Sequence, residues 1–235
     1  MPAHDVHIYY RATDALDAAA INAAASLLSP DEIGRYRRLH DARDARDYAA
    51  AHALLRTALS LHADGKPAAW RFEQTSAGKP FLSPAASASP SFSLSHTRGM
   101  VACAVTQEPA VGVDVECVDR DVDTARIAAR FFAPTEAAQL ERLEGEARRD
   151  RFFDLWTLKE ALVKALGVGM AAELDRLVFT IGVDGRISHD APDVEADWWQ
   201  FGLFAPGPRH RLAVAVRRSG SVPAQLVFRS LADVG

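Results

Sequence analysis

The sequence predicts an α+β fold made of two similar α+β halves, and three observations carry that expectation. Strand-like runs and helical runs both occur along the 235 residues, with some of the strands joined by tight turns. An echo links "SLSHTRGMVACAV" (93–105) to "PGPRHRLAVAVRR" (206–218): each has a histidine a few residues before an Ala/Val strand, and each closes one half of the chain. The composition, 49% hydrophobic and 25% charged, is that of a globular protein, and the length suits one large domain or two small ones with a real core. The expected halves are 1–107 and 108–235.

In chain order, "VHIYYR" reads as a first short strand. "LLSPDEIGRYRRL" begins a helix: Ser29 can cap, Pro30 suits the first helical position, and Glu32 completes a capping box. A second helix is expected from about Asp44 to His62, with Tyr48, Leu54, Leu55, Ala58, Leu59 and Leu61 as its apolar face. "WRFEQTSAGKPFLSP" is read as a strand followed by a Gly/Pro-rich loop, and Ala85 to Ser91 as a further loop. "SFSLSHTRGMVACAV" gives two strands around a turn at Arg98-Gly99, and "QEPAVGVDVEC" another strand. "TARIAARFF", "PTEAAQLERL" and "RDRFFDLWTLKEALVKAL" read as helices, the last the longest. The remainder reads as short strands with a turn at Asp184-Gly185.

The formal net charge of −4 and a pI of about 6.1 argue against a general nucleic-acid binder. Cys103 and Cys117 make neither a disulfide framework nor a metal cluster, and Cys103 in "MVACAV" reads as a small buried hydrophobe. The polar N-terminus "MPAHDVHIYYR" does not read as a signal peptide, and no apolar run has the length of a membrane span. The expectation is a cytoplasmic protein.

Alternation in "AVGVDVEC" sends Val111, Val113 and Val115 to one side and Gly112, Asp114 and Glu116 to the other. The two acids are then same-face neighbours roughly 7 Å apart by strand rise, which suits one shared Mg²⁺. Standing alone, such a D-x-E is more often a solvated strand face. Gly112 beside it would let a bulky ligand approach the backbone. On the long helix, Leu155, Leu158, Leu162, Ala165 and Leu166 form an apolar stripe, with Glu160 and Lys164 opposite and Lys159 flanking. Those acids and bases form either a surface ion pair, contributing about 0.2–0.5 kcal/mol, or a metal carboxylate with a phosphate contact one turn away. Ser95 and His96 at a strand end, Lys79 beside Pro80, and a basic cluster of Arg35, Arg37, Arg38, Arg43 and Arg46 complete the set. Jointly, three carboxylates and several cations are the equipment of phosphoryl-type transfer.

The order "GKPF", "FSLSHTRGMVACAV", "VGVDVE", "RFF", "WTLKEALVKALGVGM" resembles the Sfp-type branch of the 4′-phosphopantetheinyl transferases, over about Ser29 to Met170. The resemblance implies two α+β halves related by a pseudo-twofold axis, with coenzyme A in the cleft between them. It implies transfer of the 4′-phosphopantetheine arm of coenzyme A to a serine of an apo acyl or peptidyl carrier protein, releasing adenosine 3′,5′-bisphosphate. This is the holo-[acyl-carrier-protein] synthase type of reaction, EC 2.7.8.7, serving peptide, polyketide or fatty-acid synthesis. By motif match Asp114, Glu116 and Glu160 would hold Mg²⁺, with Mn²⁺ as a substitute, and Glu160 could also take the serine proton. Lys164 would neutralise the pyrophosphate with Lys159 nearby. Ser95, His96, Lys79 and Pro80 match the positions that clasp the 3′-phosphate and adenylate side, and Arg35 and Arg46 are further phosphate contacts. The sequence departs from the family pattern at Phe81, where a tyrosine is usual, and at Asp31 and Glu32, where a basic residue is frequent.

The implied partners are coenzyme A and a carrier domain, docked near Phe131, Phe132 and Leu140. No nucleic acid and no membrane are expected. A monomer is expected because the second half supplies what a partner subunit would. Two competing readings stand beside this one: another metal-dependent phosphotransfer enzyme, and an inactive coenzyme A-binding or carrier-docking protein. Neither explains the ordered motifs together with the intact acidic set.

Overall fold

The structure is a computed structural model and describes residues 5–84, 89–169, 173–191 and 194–231. In chain order the first half contains β1 (Asp5–Ala12), α1 (Ala18–Ser26), α2 (Pro30–Tyr36), α3 (Ala42–His62), β2 (Phe72–Gln74), β3 (Pro80–Leu82), β4 (Ser91–Thr97) and β5 (Met100–Thr106). The second contains β6 (Ala110–Cys117), α4 (Thr124–Phe131), α5 (Pro134–Glu141), α6 (Gly145–Leu166), β7 (Val178–Ile181), β8 (Ile187–Asp190), β9 (Trp199–Gly207), β10 (His210–Arg217) and β11 (Gln225–Ser230).

The duplication expected from the echo is present in the topology. Strands β1, β5 and β4 lie side by side in that order, and β6, β10 and β9 repeat it. In each half one strand leads into a long helix, then a two-stranded ribbon (β2–β3 or β7–β8), then a hairpin (β4–β5 or β9–β10). The first echoing segment spans the β4–β5 hairpin, and the second the end of β9, the turn and β10. The C-terminal strand departs from the expected boundary: β11 pairs in parallel with β1, so the last strand of the second half joins the sheet of the first. It covers what would otherwise be an open sheet edge.

Alternation distributes the residues over three cores. The inner faces of the two sheets meet through Val6, Ile8, Val111, Val113, Val115 and Val214. The outer face of the first sheet, with Tyr9, Val101 and Cys103, packs on Leu54, Leu55 and Leu59 of α3. The outer face of the second packs on α6 through Leu158, Ala161 and Leu162. Burial pushes the Cys103 thiol well above its usual range, consistent with an inert apolar role.

Helix starts follow local chemistry. Ser29 and Glu32 close the capping box reciprocally, with Ser29 N–H donating to Glu32 Oε2 at 2.7 Å and Glu32 N–H to Ser29 Oγ at 3.3 Å. Helix α3 begins at Ala42, earlier than expected, because Asp41 caps it by accepting from Arg43 N–H at 2.7 Å. Helix α1 is an addition to the sequence reading: its alanine-rich stretch lacks apolar periodicity, and only the cap at Asp17 announces it. In the stretch read as one strand and a loop, "PFL" folds back as β3 against β2. Residues 85–88 of the expected 85–91 loop lie outside the described residues.

Glu32 does more than cap. Burial opposes its charge, but His52, Ser29 N–H and Arg56 together hold its carboxyl at about 2. Arg56, fully buried, donates to Glu32 at 2.7 Å and to the Trp70 carbonyl at 2.9 Å, tying α2 to α3 and the segment beyond it. A depressed folded pKa gives stability that is present above the unfolded value of 4.5 and lost as pH falls towards 2. Thermal melts between those limits are expected to show a steep loss of Tm in the parent, and a shallower one in Glu32→Gln. Parallel pH profiles would remove Glu32 from the acid response.

Candidate functional site

The two sheets meet at β4 and β6 along a seam that backbone pairing does not close. Hydroxyls on alternate residues of β4 close it instead: Ser93 Oγ accepts from Val113 N–H at 3.0 Å, Ser95 Oγ from Val115 at 3.3 Å, and Thr97 Oγ1 from Cys117 at 3.2 Å. The signal was legible as hydroxyl residues at every second position of "SFSLSHT". The seam places β4 hydroxyls next to the acidic face of β6.

Ser95 Oγ also donates to Asp114 Oδ1 at 2.9 Å, and Lys164 Nζ lies 2.7 Å from the same oxygen and 2.9 Å from Ser95 Oγ. Thr97 donates to Glu116 Oε2 at 3.3 Å, Arg120 pairs with that oxygen at 2.5 Å, and Trp156 Nε1 donates to Glu116 Oε1 at 3.2 Å. Glu160 stands one helical turn before Lys164 on α6 and faces the same cleft. Burial raises the Glu160 pKa, the Asp114 and Glu116 charges raise it further, and Lys164 partly offsets them. Burial likewise raises Glu116, with the Asp114 charge adding and Arg120 and Trp156 opposing. Three carboxylates face two cations, so the cluster holds an excess of negative charge.

That excess bears on a divalent cation. Asp114 Oδ2 is buried without a hydrogen-bond partner, a costly orphan unless something positive meets it. The donors are all carboxylate oxygens, the chemistry of a hard cation such as Mg²⁺. Among the described residues no three carboxylate, histidine or cysteine side chains converge as a ready ligand set. Lys164 and Arg120 hold oxygens of Asp114 and Glu116, so binding would require those side chains to turn. The donor set fits the cation, although its arrangement is not preformed.

Two cavities flank the cluster. The first, about 590 Å³, is largely apolar, with Phe92, Phe131 and Trp156 in its walls and Lys79, Arg130 and Lys164 as its cations. The second, about 640 Å³, contains His96, Arg43, Arg98 and Arg120 together with Asp41, Asp44, Asp47 and Asp121. Lys79 and Pro80 line the first, and Lys79 Nζ donates to the Ala165 carbonyl at 2.6 Å, where burial lowers its pKa. Helix α6 ends there because Gly167 takes a left-handed φ of 71°, and a Cβ on it would come within 2.9 Å of Lys79 Cδ.

The structure thus brings Asp114, Glu116, Glu160, Ser95 and Lys164 together and separates others from them. His96 is exposed and opens into the second, acid-rich cavity, apart from Lys79 and Pro80. Lys159 does not line the cleft with Glu160 and Lys164: its side chain is fully buried and paired with Glu136 at 2.7 Å. Arg46 is committed to Asp14 at 2.9 Å and Asp47 at 3.4 Å, and Arg35 is exposed on α2, lining neither cavity. Of the expected docking residues, Phe132 and Leu140 are core, and only Phe131 reaches a cavity wall. The residues that sequence reading missed are Thr97, Arg120 and Trp156, which hold Glu116 from three sides.

Comparison with known proteins bears on the family of this chain. A family model described as the 4′-phosphopantetheinyl transferase superfamily matches residues 110–215, and one described as 4′-phosphopantetheinyl transferase, N-terminal, matches 17–108. The 4′-phosphopantetheinyl transferase HetI of Nostoc is 33% identical over 71% of this chain and 70% of its own length. The 4′-phosphopantetheinyl transferase Sfp of Bacillus subtilis is 28% identical over 80% of this chain and 82% of its own length. The Synechocystis protein slr0495 is 34% identical over 65% of this chain, and the match spans 62% of that relative. Among solved structures, the holo-(acyl-carrier-protein) synthase of Bacillus anthracis aligns with a TM-score of 0.42 at 16% identity, covering 47% of this chain and 96% of that one. The two family models meet at the β5–β6 junction, and the acidic strand and the α6 motif both fall inside the one that matches 110–215. This chain belongs to the 4′-phosphopantetheinyl transferase family.

Proposed function

We propose that the protein transfers the 4′-phosphopantetheine arm of coenzyme A to a serine hydroxyl of an apo acyl or peptidyl carrier protein, as a holo-[acyl-carrier-protein] synthase type enzyme, EC 2.7.8.7. The observation that carries this reading is the Ser95–Asp114–Lys164 cluster at the apolar cavity, with Glu160 on the same helix face as Lys164. A chamber with aromatic walls and three cations suits a long, partly apolar polyanion. Cations arranged on a pyrophosphate, with an acceptor for the incoming hydroxyl proton, are what phosphoryl transfer requires of a protein.

In this mechanism Lys164 and Lys79 neutralise pyrophosphate oxygens, with Ser95 beside Lys164. Glu160 accepts the proton of the carrier serine as its oxygen bonds to the phosphorus of the arm, and the P–O bond to the adenosine side breaks. The electron pair leaves with adenosine 3′,5′-bisphosphate. Asp114, Glu116 and Glu160 would hold Mg²⁺, which when bound supplies charge neutralisation at the pyrophosphate. The internal repeat completes the cleft within one chain, so a monomer is the working state. Among the described residues no helix is long and apolar enough to cross a membrane.

The test is the intact mass of an apo carrier domain after incubation with the protein, coenzyme A and Mg²⁺. A gain of one phosphopantetheine arm, abolished by EDTA, is the expected result. Unchanged mass across peptidyl, polyketide and fatty-acid carriers, despite coenzyme A binding, would favour the inactive binder and reject the transferase.

A further inference from the structure

Lys159 and Glu136 are both fully buried, and besides each other they hold four backbone groups. Lys159 Nζ meets Glu136 Oε2 at 2.7 Å, donates to the Leu174 carbonyl at 2.8 Å, and donates to that of Leu177. Glu136 Oε1 accepts from Phe179 N–H at 2.8 Å, and Oε2 from Ala133 N–H at 2.9 Å. The pair therefore fastens α5 and α6 to residues 174–179. Leu174 in turn lines the apolar cavity together with Trp156, Glu160 and Lys164. Successive helical residues point about 100° apart, so Glu160 addresses the cleft while Lys159 grips the segment that forms its far wall.

A buried ion pair seldom repays its desolvation by attraction alone, and a fully bonded one is better explained by what it holds in place. Burial lowers the Lys159 pKa, and Glu136 and Asp175 oppose this. We propose that Lys159 is a positioning residue, acting through Leu174 and Leu177 to fix the wall of the substrate chamber, and that it makes no phosphate contact. Only the identity of the chamber's occupant rests on the transferase reading.

The experiment compares the parent with Glu136→Gln/Lys159→Met, which removes both charges together, and with Leu174→Ala, which alters the wall and leaves the pair intact. Both variants are expected to raise KM for coenzyme A about tenfold while kcat and the KM for carrier stay within about twofold, the pattern of lost ground-state binding. Amide exchange at Leu177 and Phe179 is expected to accelerate at least tenfold in the double variant, with α3 unchanged; this readout is independent of activity. Unchanged KM in both variants, a fall in kcat at constant KM, or unaltered exchange at Phe179 would each overturn the proposal. A parent that binds coenzyme A but transfers nothing would count against the transferase reading, and the exchange measurement would still decide the role of Lys159.

Discussion

Glu160→Gln is expected to lower kcat for carrier modification by about a thousandfold, within the range for a lost general base, while KM for coenzyme A changes little. The substitution keeps the size of the side chain and removes its charge and proton affinity. Glu160 is half-buried at the cleft, and burial, Asp114 and Glu116 raise its pKa against the pull of Lys164. A raised pKa makes a carboxylate a better proton acceptor near neutrality. The sign follows: below that pKa the group is protonated and cannot accept, so kcat/KM in the parent climbs with pH along a limb displaced above the ordinary carboxylate range. The limb should vanish in Glu160→Gln. A group whose folded pKa is raised costs stability once ionised, so the variant should melt no lower than the parent at neutral pH. A pH–rate profile with the acid limb intact in the variant, or a loss confined to KM, would assign the proton transfer elsewhere.

Much of this site was legible because its chemistry is bound to strict periodicities. Alternation in "AVGVDVEC" placed Asp114 and Glu116 on one face, and the helical period placed Glu160 with Lys164, as the structure has them. Lys159 was not legible, because its partner Glu136 lies on another helix and only tertiary packing shows that the lysine is internal. The partners of the arginines were hidden for a related reason. A local basic cluster says nothing about partners distant in sequence, and Arg46 is consumed by Asp14 across 32 positions. The hydroxyl ladder on β4 was visible as a pattern but carried no meaning until β6 lay beside it. The return of β11 to β1 depended on a pairing between the chain's two ends, which no local signal encodes.

Gly112→Ala is expected to be strongly destabilising, costing more than about 4 kcal/mol. The sequence suggested that this glycine leaves room for a ligand, but what approaches is helix α6. A Cβ on Gly112 would lie 1.9 Å from the Ala161 carbonyl oxygen, 2.6 Å from Ala165 N and 3.0 Å from the Ala161 carbonyl carbon. All three are helix backbone, so no side chain can rotate away, and the helix itself must lift from the sheet. Small residues at Ala161 and Ala165 complete the close crossing, and both are buried. Lifting α6 would open contacts of Leu158 and Leu162 in the core and separate Lys164 from Asp114, which lies two residues along β6 from the glycine. Stability and transfer should therefore fall together. Gly34→Ala is the control, since nothing lies within 4 Å of that position in α2. There the same change should stabilise by up to about 1 kcal/mol through helix propensity. Urea unfolding of the two variants should give shifts of opposite sign; equal midpoints would mean that α6 does not cross β6 at this distance.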